Sequence, residues 1–117
     1  MKKAITRYSH PIRGILYAVK NDRSYRSQVY TIGAIVAGSF YFFEPLAPFE
    51  ILFLLLAYAL ILITELQNSA LEIALDTLHP ELHEAIGKSK DMAAGAVLTA
   101  GIFLLIVIST IAIIRFW

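Results

Sequence analysis

The sequence predicts an all-α membrane protein: an N-terminal amphipathic surface helix followed by three transmembrane helices. Three observations predict it. Of the 117 residues, 58% are hydrophobic and 16% charged, with mean hydropathy +0.68; soluble domains are typically about 45–50% apolar and about 25% charged. Three apolar segments stand out, at about residues 29–43, 49–64 and 92–114. Seven of the ten Lys and Arg residues precede Ser27, an asymmetry that orients membrane proteins with the basic flank inside. The length suits one domain, residues 1–117. There is no cysteine, which excludes disulfides, thiol chemistry and Cys-ligated zinc. A net charge of +1 gives no bulk electrostatic signal for a nucleic-acid partner. The first twenty residues hold no apolar h-region, so they do not read as a signal peptide.

The elements follow in order. Residues 4–20, AITRYSHPIRGILYAVK, place Ile5, Tyr8, Ile12, Ile15, Leu16 and Val19 at helical spacing, with Arg7, Arg13 and Lys20 between them. A basic amphipathic helix of this kind lies in the membrane interface. Pro11 is expected to split or kink it. The alternative is a basic tail that only sets topology. KNDRSYRSQ, Lys20–Gln28, reads as a polar turn before the first span, with Arg23 and Arg26 as topology anchors. The first two spans are short against the roughly 20 residues a bilayer needs. They form a hairpin across EPLAPFE, where Pro45 and Pro48 mark the break. Small residues recur in spans one and three, among them Gly33, Ala37, Gly38, Gly95 and Gly101, and predict close helix approach in a homo-oligomer. The basic N-terminal flank and the 76–91 connection should lie in the cytoplasm. Arg115, after span three, opposes that orientation.

The second span should run on as one helix to about Thr77. Taking Glu65 as zero, Asn68, Glu72 and Asp76 fall near −60°, −20° and +20° on a wheel of about 100° per residue. The four form one polar stripe leaving the membrane. Ionisable groups at the edge of a long apolar run mark function by default. Three carboxylates on one stripe repel unless neutralised, which favours a hard divalent cation or a lysine such as Lys90. In LHPELHEAIGKSKD, Lys90 suits a phosphate, and Asp91 either orients that lysine or caps the third helix. His83 suits a nucleotide pocket better than a metal site with His79, because Pro80 lies between them. No GxxxxGK(S/T), GxGxxG, HExxH or nucleophile elbow is present. The remaining chemistry is positioning and electrostatics, which phosphoryl transfer needs, with a carboxylate able to take a proton from a lipid hydroxyl.

ELQNSALEIALDTLHPELHEAIGKSKDMAAGAVL, Glu65–Leu98, resembles the prokaryotic diacylglycerol kinase family, which includes undecaprenol kinases. The family pattern there is close to E-x-x-N-(S/T)-A-x-E, then D, P-E-x-H and K-D before small residues. GILYAVKNDRSYR, Gly14–Arg26, is similar to the upstream motif G-(I/L)…N-E-x-x-(F/Y)-R. The resemblance implies a homotrimer in the prokaryotic inner membrane, N-terminus cytoplasmic, with active sites shared between subunits. It implies ATP- and Mg2+-dependent phosphorylation of diacylglycerol or undecaprenol. By position it implies Glu65 as catalytic base, Asp22 and Glu72 as metal ligands, and Asn68, Glu81, His83, Lys90, Asp91 and Lys3 as nucleotide-binding residues, with Arg7 one turn from Lys3. Two departures stand out: Asp22 replaces the usual Glu, and Lys3 replaces an Arg. The alternatives are a non-enzymatic oligomer (ion-conducting or an assembly subunit) or a family member without activity. A pore would spread polar residues through the depth of a span, whereas here they gather at one end.

Overall fold

The computed structural model describes residues 2–81 and 83–117, with side chains from Ser9 onward. Among the described residues the chain forms four α-helices: α1 (Lys2–Asn21), α2 (Arg23–Phe42), α3 (Pro48–Leu78) and α4 (Glu84–Phe116). The all-α expectation is met. Two helices, α3 and α4, are long and apolar enough to cross a bilayer. The start of α2 carries Arg23, Ser24, Arg26, Ser27 and Gln28, and these dilute its apolar run.

α1 is not split at Pro11. The ring removes one backbone donor, but Pro11 is exposed, where solvent can serve the carbonyl left over. Of the described α1 side chains only Ala18 is buried, while Ile12, Ile15, Leu16 and Val19 remain exposed. The helix thus presents apolar surface that the described part of the chain does not cover.

Lys20–Gln28 is not the expected turn. α2 starts at Arg23, so only Asp22 separates the two helices. The physical reason is double capping. The Asp22 carboxylate accepts from Tyr25 N at 3.1 Å, satisfying a donor left free in the first turn of α2. Arg26 Nη1 reaches back and donates to the Val19 and Lys20 carbonyls, each at 3.1 Å, closing the end of α1. α4 likewise begins at Glu84 rather than near residue 92. Its cap is His83, whose Nδ1 accepts from Ala85 N at 3.1 Å, so Asp91 lies inside the helix and does not cap it. A Glu84–Lys88 pair at 3.1 Å, one turn apart, supports the added residues.

α3 and α4 pack as an antiparallel hairpin. Their buried residues are Leu54, Ala57, Ile61 and Glu65 on α3, and Ala100, Leu104, Val107 and Ile111 on α4. Both series step by three or four, which keeps one seam facing a partner helix. Charged contacts pin the two ends. Lys90 Nζ meets Asp76 Oδ1 at 2.5 Å at one end. At the other, Arg115 Nη2 donates to Glu50 Oε1 and to the Pro45 carbonyl, both at 2.6 Å. Glu50 also accepts from Ala47 N at 2.7 Å, which caps the start of α3. Arg115 thus ties the end of α4 to the α2–α3 connection and to the first turn of α3. α2 docks on α3 through Tyr58, whose hydroxyl donates to the Val29 carbonyl at 2.8 Å. The molecule measures 52 × 44 × 20 Å. A thickness of 20 Å is about two helix diameters, so the outer faces of the helices have no second layer to cover them.

Candidate active site

The face of α3 that carries the buried seam runs on past the last apolar residue of that seam, out of the core. From Leu54, Ala57 and Ile61 it continues through Glu65, Asn68, Glu72 and Asp76, in steps of three and four. An 11-residue recurrence keeps such a stripe on one face of a near-straight helix. One face of α3 therefore serves as core below Glu65 and as the wall of a cleft above it. The cleft, about 860 Å³, is bounded by α1, the α1–α2 corner and α3. That is within the size of ordinary small-molecule sites, about 300–1,000 Å³.

Glu65 sits at the changeover. It is 4% exposed, and its Oε1 accepts from Ser24 Oγ at 2.7 Å. Among the described residues no donor reaches Oε2. Asn68, one turn on, lines the same cleft; its Oδ1 is buried and has no hydrogen-bond partner among the described residues. A buried amide oxygen left unpaired costs about 1–3 kcal/mol, which a ligand donor would relieve. Glu72 is exposed on the cleft wall, and Asp22 faces it from the corner, half-buried and already serving as a cap. Asp76 lines the far rim and carries the ion pair to Lys90. The expected help from Lys90 is thus given to Asp76 alone. Asp22, Glu65 and Glu72 have no ion-pair partner among the described residues.

Other expected site residues are not brought to this cleft within one chain. Glu81 and His83 are exposed in the α3–α4 connection, with His83 engaged as a cap and its ring 5.6 Å from that of His79. Asp91 is exposed within α4, and Lys90 turns to Asp76 rather than to Asp91. The side chains of Lys3 and Arg7 lie outside the described residues. No three acidic or histidine side chains converge on one point among the described residues, so there is no closed metal cage. Magnesium does not need one. It binds through one or two carboxylates, keeps several waters and takes its other ligands from phosphates. Asp22 and Glu72, oxygen donors on facing walls of one cleft beside an unpaired amide oxygen, fit that donor chemistry.

Sequence reasoning missed two residues. Ser24, the partner of Glu65, lies 41 positions away from it and carries no motif signal of its own. Arg26 reads as a topology anchor, yet its guanidinium ties the corner that carries Ser24 and Asp22.

The prokaryotic diacylglycerol kinase family model matches residues 9–112. A diacylglycerol kinase of Synechocystis sp. is 38% identical over 96 residues, covering 80% of this chain and 53% of that protein. A diacylglycerol kinase of Haemophilus influenzae is 30% identical over 95 residues, covering 81% of this chain and 77% of that protein. The chain thus spans about half the length of the first relative and about three quarters of the second. The match runs through all four helices and includes both walls of the cleft, and on that ground the chain belongs to the prokaryotic diacylglycerol kinase family.

Proposed function

We propose that this protein is a membrane lipid kinase, transferring the γ-phosphoryl group of ATP to the hydroxyl of a membrane lipid alcohol, diacylglycerol or undecaprenol, at the inner face of the membrane. The observation that carries this reading is Glu65: a buried carboxylate that ends an apolar helix seam and lines the cleft, with one oxygen held by Ser24 and the other without a donor among the described residues. A lipid hydroxyl arriving along the apolar part of α3 would meet that oxygen first. Glu65 takes the hydroxyl proton as the lipid oxygen bonds to the γ-phosphorus and the bond from that phosphorus to the β–γ bridging oxygen breaks, releasing ADP. General-base help of this kind is worth about 10²–10⁴-fold.

The cleft residues divide along α3. Glu72 lies seven residues beyond Glu65, about 10.5 Å along the axis, where a water-soluble nucleotide has access. Asp22 and Glu72 are the residues that would hold magnesium, which supplies charge neutralisation for the phosphates. Asn68 would give its unpaired oxygen to the nucleotide. Glu81, His83, Lys90, Asp91 and Lys3 complete the nucleotide site in this reading, with a neighbouring subunit supplying those that the cleft of one chain lacks. A homotrimer with three spans per chain and α1 on the inner leaflet accommodates this. It also gives a use to Gly38, Gly95 and Gly101, where an added Cβ meets nothing within 4 Å in the single chain.

The test is a lipid-alcohol panel in mixed micelles with magnesium and γ-labelled ATP, with the organic phase analysed by mass spectrometry. Labelled lipid phosphate is expected, and Glu65→Gln should lower its rate by at least about 100-fold while circular dichroism stays helical. No labelled product from any lipid alcohol would sink the kinase reading in favour of a non-enzymatic oligomer. Near-normal turnover by Glu65→Gln would remove Glu65 as base and leave the kinase standing.

A further inference from the structure

We infer that Ser24 is the positioning residue for the Glu65 carboxylate, holding one oxygen so that the other stays turned to the incoming hydroxyl. The inference rests on the kinase reading for its catalytic meaning, but the contact itself stands on geometry. A glutamate has three side-chain torsions, and the last is broad and poorly fixed by rotamer preference. At 4% exposure the Glu65 carboxylate has little water to orient it, and buried carboxylates need hydrogen-bond donors. The described residues supply a single donor, the Ser24 hydroxyl, at 2.7 Å. An ionised carboxylate only accepts, so the serine's one hydrogen is committed to it. Charge-assisted bonds of this length are the strong kind.

The serine is itself held. It occupies the second position of α2, between the Asp22 cap and the Arg26 tie to the end of α1. The α1–α2 corner therefore reaches across the cleft and sets a torsion on α3. The other titratable and charged groups on the cleft are Tyr17 from α1, Asp22 and Arg23 from the corner, and Glu72 and Asp76 from α3, with Lys90 of α4 engaged by Asp76. None of them hydrogen-bonds or ion-pairs with Glu65 among the described residues, so none duplicates what Ser24 does.

The experiment compares Ser24→Ala, Ser24→Thr and the exposed Ser27→Ala in steady-state lipid phosphorylation. Ser24→Ala should lower kcat about tenfold, the scale of a misaligned base, with KM for ATP and lipid within about twofold. Ser24→Thr, which keeps the hydroxyl, should recover at least half the rate, and Ser27→Ala should match the native protein. In a Glu65→Gln background Ser24→Ala should cost nothing further, because the two act as one unit. A second readout needs no turnover. A lipid-soluble carbodiimide attacks carboxyl oxygens that are free of hydrogen bonds, so removing the Ser24 donor should speed labelling of Glu65 severalfold in Ser24→Ala but not in Ser24→Thr. Unchanged kcat and labelling in Ser24→Ala, a defect confined to KM, or failure of threonine to rescue would overturn the inference. If the native chain phosphorylates no lipid, the kinase reading falls, and the labelling rates still decide whether Ser24 governs Glu65.

Discussion

Asp22 does two jobs with one short side chain. Its carboxylate caps α2 through Tyr25 N and also lines the cleft opposite Glu72. The family motif usually has Glu here, which reaches one methylene further but is a poorer N-cap. Aspartate ranks among the best caps, and losing a cap costs about 1 kcal/mol. Two substitutions separate the roles. Asp22→Asn keeps a capping oxygen, so its thermal midpoint in detergent should match the native protein. Its half-saturating magnesium concentration should rise about tenfold, the usual scale for weakening a metal site. Asp22→Ala should show the same magnesium defect together with a lower thermal midpoint. If Asp22→Asn keeps the native magnesium dependence, Asp22 is a cap alone. The sequence places Asp22 in a motif, but its capping role becomes visible only once α2 is seen to start at residue 23.

At the scale of elements, α3 was the most legible part of the chain. Its apolar run, the absence of a breaker until Pro80 and the spacing of Glu65, Asn68, Glu72 and Asp76 all state one long helix with one polar stripe. The starts of α2 and α4 were not legible, because polar residues near a membrane edge are equally compatible with turns. Capping by Asp22 and His83 decided them as helices. Helix docking was legible only in type. Among the glycines, Gly33 alone makes a tight intrachain contact: a Cβ there would sit 3.0 Å from the Tyr58 hydroxyl. That hydroxyl is tied to the Val29 carbonyl, one turn earlier on α2, so it has little room to give. Gly33→Ala should therefore destabilise the protein by about 1 kcal/mol, the net worth of a typical hydrogen bond, read as a lower thermal midpoint. A midpoint at or above the native value would show that Tyr58 yields freely.

The two ends of the α3–α4 hairpin differ in what their charges do. Lys90 and Asp76 keep 34% and 66% of their side-chain surface exposed, and such pairs are worth about 0–1 kcal/mol. The pair therefore adds little to stability, and of its two members Asp76 lines the cleft rim. Arg115 and Glu50 are 26% and 15% exposed, and the guanidinium also holds the Pro45 carbonyl. Arg115→Ala should lower the thermal midpoint and leave the KM for ATP unchanged, since the contact lies at the end away from the cleft. A rise in that KM without loss of stability would contradict the assignment.

The whole molecule is a thin slab whose broad faces expose apolar side chains such as Leu52, Leu55, Leu98, Leu105 and Ile106. Patches of that kind are covered by lipid or by partners. The cleft of one chain holds Glu65, Asn68, Asp22 and Glu72 but not Asp91, Glu81 or His83. A shared site predicts complementation. Glu65→Gln and Asp91→Asn should each be inactive alone, yet mixing and reassembling them should restore about a quarter of the native rate, the share of wholly native sites in randomly assorted closed oligomers. No recovery after verified mixing would place each complete site within one subunit.

The sequence by itself determined the helical class, the membrane character and the line of groups along α3. Those follow from periodicity and transfer free energy, which act residue by residue. Only the tertiary structure decided what Glu65 faces, where α2 and α4 begin and how the end of α1 is closed. Those depend on contacts between positions remote in the chain: Ser24 with Glu65, Asp76 with Lys90, Glu50 with Arg115. Local pattern carries no record of such pairings, because a hydrogen bond across 41 residues is set by how helices pack and not by the spacing along any one of them.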